Sequence, residues 1–216
     1  MERLTAVLAG TPVDTNMGLE LLRRAGLPAA GFPVAEDPRA QTAFQLLPPA
    51  DKQAQTELVL RLAMKGGCAR ALVYCNSMSA AVDFPALSRQ LGLPIVTPMD
   101  VYREAAGAYR RAAVIAANAQ GLAGIERALL EKNPKLDLYG ACLLPAVLSV
   151  EAKEPPEELV ERHHLAELAA WFQSCGAQTL ILGCTHFPYF KAALAARTSL
   201  PLLDPDEELV RLVKEL

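Results

Sequence analysis

Two cysteines share a setting. Cys75 lies in ALVYCNSMS and Cys184 in LILGCTHFP. Each ends an aliphatic run, and each is followed by small polar residues, Asn76-Ser77 or Thr185-His186. A thiol titrates near pH ~8.5, and neighbouring charge and hydrogen bonds tune it. Two thiols that face one ligand from opposite sides suit stereoinversion at carbon. One removes a proton from one face, and the other returns a proton to the opposite face. Such a reaction wants two similar groups whose acid and base forms are both accessible near neutrality. Cysteine is also a common core residue, and Cys68, Cys142 and Cys175 read as core. Cys75, Cys184 and His186 have the ligand types of a zinc site. No CxxC or HxxxH spacing accompanies them, so no metal is expected.

The elements that must position these thiols alternate along the chain. Short aliphatic runs predict strands at Leu4–Leu8, Gly31–Val34, Ala71–Tyr74, Pro94–Val96, Ala112–Ala116, Leu138–Ala141, Thr179–Leu182 and Pro201–Leu203. Longer amphipathic stretches predict helices, among them Thr56–Met64, Ala80–Leu91, Gly121–Glu131 and Glu157–Ser174. Continuous aliphatic strands alternating with helices specify a parallel α/β sheet. Pro48-Pro49 and Pro155-Pro156 punctuate helix entries.

The strands recur in order. GCARALVYCNS at 67–77 matches GAQTLILGCTH at 176–186, an offset of 109. LPIVTPMDVYREAA at 93–106 matches LPLLDPDEELVRLV at 200–213, and TAVLAG at 5–10 matches AAVIAA at 112–117, both offset by 107. This register predicts two pseudo-twofold-related α/β lobes, each a four-stranded parallel sheet flanked by helices. The first covers 1–98, with a final helix at 205–216 packing back on it, and the second covers 99–204. In open parallel sheets ligands bind beyond the carboxyl ends of strands, where helix N-termini offer free N–H groups. Cys75 and Cys184 occupy equivalent strand ends, so an active site in the interlobe cleft is expected.

Composition narrows the class. Of 216 residues, 52% are hydrophobic and 21% charged, enough apolar mass for a sizeable core. Net charge is −3 with no basic stripe, which argues against a nucleic-acid partner. No run of about 18 apolar residues predicts a membrane span, and MERLTAVLAG reads as a first strand and not a signal peptide. Five cysteines in such a chain point to free thiols in a reducing cytoplasm.

On these residues the sequence resembles the aspartate/glutamate racemase superfamily, the cofactor-independent amino-acid racemases. CNSMSA at 75–80 is similar to that family's Cys-Asn-Thr segment, and GCTHFP at 183–188 to its Gly-Cys-Thr-His-Tyr-Pro segment. VDTNMG at 13–18 loosely resembles its opening Asp-Ser-Gly loop. The double glycine of that loop and the Pro-Tyr-Gly segment after the second strand are missing here. The resemblance implies a racemase without pyridoxal phosphate or other cofactor, acting on glutamate or aspartate as a homodimer. It makes Cys75 and Cys184 the acid/base pair, assisted by Asp14 and His186 respectively. Thr15, Asn76, Ser77 and Thr185 would hold the substrate's carboxylate and ammonium, and Glu151 is the loose counterpart of a further acidic residue.

Each of these residues also has a plain structural reading. Asp14 would cap a helix starting near Asn16, His186 would bond a backbone carbonyl, and Asn76 and Thr185 would be helix caps. Glu151 would be a solvated residue near a charged loop, and His163-His164 exposed residues of a polar helix. Thr97 and Asp204 read as turn or cap residues. A hydantoin racemase or a maleate-type isomerase would keep the fold and change the substrate. A ligand-binding protein on the same scaffold would keep neither the thiols' chemistry nor its helpers.

Overall fold

The computed structural model describes residues 3–216. The chain divides into two units, Met1–Val101 with Asp206–Leu216, and Tyr102–Pro205.

In the first unit, strands β1 (Thr5–Ala9), β2 (Ala29–Pro33), β3 (Arg70–Val73) and β4 (Ile95–Val96) form a parallel sheet in the order β2-β1-β3-β4. Between them run α1 (Pro12–Arg24), α2 (Pro38–Leu46), α3 (Pro49–Lys65), α4 (Asn76–Ala81) and α5 (Phe84–Leu91). After β4 comes α6 (Pro98–Ala105). Prolines at the first helical positions of α1, α2 and α3 explain these starts, because a missing N–H costs nothing there.

The central strands β1 and β3 are buried on both faces, which is why they are apolar almost throughout. Alternation divides the side chains. Ala6, Leu8, Ala71 and Val73 pack with Phe44, Leu60, Met78, Phe84 and Leu87. Val7, Ala9, Leu72, Tyr74 and Val96 face the other way, toward Leu22, Leu209 and Val213.

The second unit repeats the topology. Strands β5 (Arg111–Ala116), β6 (Asp137–Cys142), β7 (Leu180–Gly183) and β8 (Leu202–Leu203) are parallel in the order β6-β5-β7-β8. Helices α7 (Ala119–Lys132), α8 (Leu144–Glu151), α9 (Pro156–Arg162), α10 (Leu165–Ser174) and α11 (Lys191–Ala195) flank it. Its core gathers Ile115, Leu182, Val147, Phe172, Phe187 and Phe190. The last helix, α12 (Asp206–Glu215), belongs to the first unit. There the buried Arg70 guanidinium donates to the Val213 carbonyl at 2.7 Å, and Tyr74 Oη to Asp206 Oδ1 at 2.8 Å.

The predicted strands lie within two residues of the observed ones, and the α/β class holds. Two predicted helices are each broken. The stretch 80–91 is interrupted at Val82-Asp83, where Asp83 Oδ1 caps α5 by accepting from Ala86 N at 2.9 Å, just before Pro85. The stretch 157–174 breaks at His163-His164, with His164 in the left-handed region at φ 51°. No glycine or proline marks that break, although His tolerates this backbone better than most residues.

The same break corrects His163. It is half-buried and bonded to Ser149 Oγ at 2.9 Å through Nε2, whereas His164 is exposed. Two cysteines read as core are not. Cys142 ends the edge strand β6 and is exposed, and Cys175 follows α10 half-buried. Cys68 is buried in the core, where burial pushes its thiol pKa up. All five cysteines are free.

Candidate active site

Cys184 directly follows β7, and the strand's last residue, Gly183, is required to be small. A Cβ there would overlap Ile125 Cδ1 and come within 2.9 Å of the Ile115 carbonyl oxygen. The chain after Cys184 is a turn leading into a 3₁₀ segment at Phe187–Phe190, not the α-helix that its match with Cys75 suggests. Thr185 is therefore no helix cap, and it is buried in the turn. Phe187 and Phe190 anchor this segment in the core, with ring centroids 5.1 Å apart.

The turn brings His186 back toward its neighbour. Cys184 Sγ lies 3.7 Å from His186 Nδ1, and His186 Nε2 lies 2.8 Å from Glu151 Oε1. The thiol and imidazole are buried, and the carboxylate is only slightly exposed. Glu151 is the last residue of α8, not a loop residue, and bonds an imidazole 35 positions away. His186 thus bonds a side chain, not only backbone. The geometry has one consistent proton arrangement for a neutral ring. Nε2 carries the hydrogen and donates it to Glu151, leaving Nδ1 to accept from the thiol. Moving the thiol proton onto Nδ1 gives a thiolate beside an imidazolium that the carboxylate stabilises.

Cys75 follows β3 and is the N-cap residue of α4. Asn76, Ser77, Thr15 and Asp14 are all buried in the same unit. Asn76 is the first residue of α4, so the cap position belongs to the cysteine. Asp14 does not start a helix near Asn16. Helix α1 begins at Pro12 with Thr11 as its cap, and Asp14 is the third position of a capping box. The Asp14 carboxylate accepts from Gly10 N at 3.1 Å, Thr11 N at 2.6 Å and Thr11 Oγ1 at 3.0 Å, fastening the loop after β1. Thr15 donates its hydroxyl to the Thr11 carbonyl at 2.7 Å.

Two residues near this thiol, one bonded to the sulfur and one to Ser77, escape a sequence reading. Gln41 Nε2 donates to Cys75 Sγ at 3.1 Å and to Ser77 Oγ at 3.3 Å, and Gln45 Nε2 donates to Ser77 Oγ at 2.5 Å. Both are buried on α2, one turn apart. The available signal was two glutamines at i and i+4 on an otherwise apolar face, AQTAFQL. Thr97 immediately precedes α6, and its backbone N and Oγ1 donate to Asp100 Oδ2 in the first turn at 2.8 and 2.9 Å. Asp204 instead pairs with Lys191. Among the described residues no three His, Cys, Asp or Glu side chains gather as metal ligands do, and no helix is long and apolar enough to cross a membrane.

Two four-stranded parallel sheets of the same strand order, flanked by helices, define a class of α/β protein, and comparison with known proteins places the chain within it. Residues 17–213 match the model of the Asp/Glu/Hydantoin racemase family, and the chain belongs to that family. A glutamate racemase of Geobacter metallireducens is 31% identical over 159 residues, covering 67% of this chain and 55% of the relative. The chain thus spans about half the length of that relative. The crystal structure of glutamate racemase from Francisella tularensis in complex with D-glutamate superposes with a TM-score of 0.75 at 18% identity, covering 99% of this chain and 80% of that one. An aspartate racemase homologue from Pyrococcus horikoshii gives 0.67 at 15% identity, covering 100% and 98%.

Proposed function

We propose that this protein racemises a small acidic amino acid, glutamate or aspartate, without a cofactor, using Cys75 and Cys184 as its two acid/base groups. One observation carries the reading. Two units of identical strand order each end their third strand at a buried cysteine, and one cysteine is joined to an imidazole and a carboxylate. The glutamate racemase relatives and the D-glutamate complex support the choice of substrate.

In this mechanism one thiolate takes the Cα proton. The C–H bond breaks, an S–H bond forms, and the electron pair moves into the α-carboxylate as an ene-diolate. The other thiol then gives its proton to the opposite face of Cα, and its S–H electron pair stays on sulfur. Charge and protons balance over the cycle, and the reverse reaction exchanges the two roles. When Cys184 is the base, His186 with Glu151 takes up its thiol proton beforehand; Cys184 then holds the proton from Cα, and the site resets when the ring loses its proton to solvent and the Cys75 thiolate regains one. Asn76, Ser77, Thr15 and Thr185 bind the substrate's polar groups, Asp14 assists Cys75, and the active protein is a homodimer in the cytoplasm.

The test is α-proton exchange in deuterated water with each enantiomer of glutamate and aspartate, followed by polarimetry. A hydantoin belongs in the panel, because the family description includes that substrate. Exchange with inversion of either acid supports the reading. Inversion of the hydantoin alone reassigns the substrate, and no exchange with any compound overturns the racemase reading. Cys75→Ser and Cys184→Ser should each abolish inversion and leave exchange from one enantiomer, since the surviving thiol addresses one face. Sedimentation of the purified protein tests the dimer.

A further inference from the structure

The two thiols are equipped differently. Cys184 has an imidazole in reach, and Cys75 has an amide and a hydroxyl within hydrogen-bond distance. The hydrogen-bond roles around Cys75 follow from donor counting. Ser77 Oγ accepts from Gln45 Nε2 and from Gln41 Nε2, which occupies both of its lone pairs. Its own proton is then left to point at Cys75 Sγ, 3.5 Å away. The sulfur therefore meets two donors, the Ser77 O–H and the Gln41 N–H at 3.1 Å. Donors aimed at a sulfur favour its anion over its neutral thiol.

Gln41 carries a cost that points the same way. Its residue is 7% exposed, and Oε1 has no hydrogen-bond partner among the described residues. A buried, unpaired carbonyl oxygen is unfavourable, and in native proteins such an atom has a reason. Turning the amide over would not remove the cost, because Nε2 would become the unpaired atom. The neighbouring loop is also shaped around this side chain. A Cβ on Gly10 would overlap the Gln41 amide and approach its Nε2 to 2.8 Å, so only glycine leaves it room. Asp14 in turn holds Gly10 N. A leucine of similar volume at position 41 would fill the site with no orphaned atom. An amide is found there instead, with its N–H on the reacting sulfur.

Building on the racemase reading, we propose that Gln41 is the positioning residue of Cys75, its amide N–H holding the sulfur in the thiolate form, with Gln45 orienting Ser77 to add a second donor. Gln41 and Ser77 thereby add neutral donors to the Cys75 sulfur, while Cys184 lies beside His186 and Glu151. Cys184 can pass its proton to the ring.

The experiment reads the thiolate directly. Ultraviolet thiolate absorbance is titrated against pH, and the Cys75 signal is the difference between each protein and its Cys75→Ser counterpart. Gln41→Leu should raise the Cys75 midpoint by about one to two pH units, the worth of one hydrogen bond to a charged group. Gln41→Glu keeps the shape and adds a negative charge, so its midpoint should rise further. The Cys184 signal, read in the Cys75→Ser background, should not move in either variant. Circular dichroism melts identify folded samples, and either folded variant suffices. A Cys75 midpoint unchanged in a folded variant overturns the proposal, as does an equal shift at Cys184. If the midpoint moves but the unsubstituted protein exchanges no α-proton, the racemase reading fails and Gln41's hold on the thiol stands.

Discussion

Glu151→Gln isolates what the carboxylate behind His186 contributes. Glutamine has the same size, and its amide oxygen can still accept from His186 Nε2, so the ring keeps its orientation toward Cys184. Only the negative charge is lost. The present separation is 2.8 Å from Oε1 to Nε2, which puts the two charge centres about 4 Å apart once the ring is protonated. At that distance the attraction is about 4 kcal/mol at the effective dielectric of a partly buried pair. Glu151 is slightly open to solvent, and the amide dipole retains part of the attraction. About half, roughly 2 kcal/mol, is therefore the expected loss. That corresponds to a rate decrease of about 30-fold for the step that needs an imidazolium. The decrease should be confined to one enantiomer, the one whose α-proton faces Cys184. The assay is the initial rate of α-proton exchange from D- and L-substrate separately, in deuterated water, under single-turnover conditions. Equal losses for both enantiomers would refute the assignment of the relay to one face. So would a variant with unchanged exchange from both.

Other substitutions test the scaffold. Gly183→Ala forces a methyl against the Ile115 carbonyl and Ile125, so it should destabilise by about 1–3 kcal/mol in urea unfolding. Pairing it with Ile125→Val should restore only part, because the carbonyl stays in place. Tyr74→Phe removes the donor to Asp206 and should cost about 1.5–3 kcal/mol, with α12 amides showing the largest gain in hydrogen exchange. Phe172→Ala empties a fully buried site of the second unit's core and should cost about 3–5 kcal/mol by thermal melting.

The sequence by itself determined the strands, their duplicated order and the placing of Cys75 and Cys184 at strand ends. These are properties of local periodicity. A strand buried on both faces must be aliphatic throughout, and a turn must follow it, so both are written in neighbouring residues. The racemase family was legible for the same reason, because GCTHFP and CNSMSA are contiguous. Helix interruptions were less so. Asp83 before Phe84-Pro85 was a readable cap, but the left-handed backbone at His164 had no glycine or proline to mark it. Cysteine burial also misled, since hydrophobic character does not say whether a residue sits at an edge strand, as Cys142 does. What only tertiary structure decided is the company each thiol keeps. Glu151 reaches His186 from 35 positions away, and Gln41 reaches Cys75 from 34. No local pattern specifies such pairs. They arise because parallel strands need crossover helices, and strand order then selects which helix ends beside which strand. The chemistry of each sulfur is therefore set by residues that the chain brings close only when the sheet has formed.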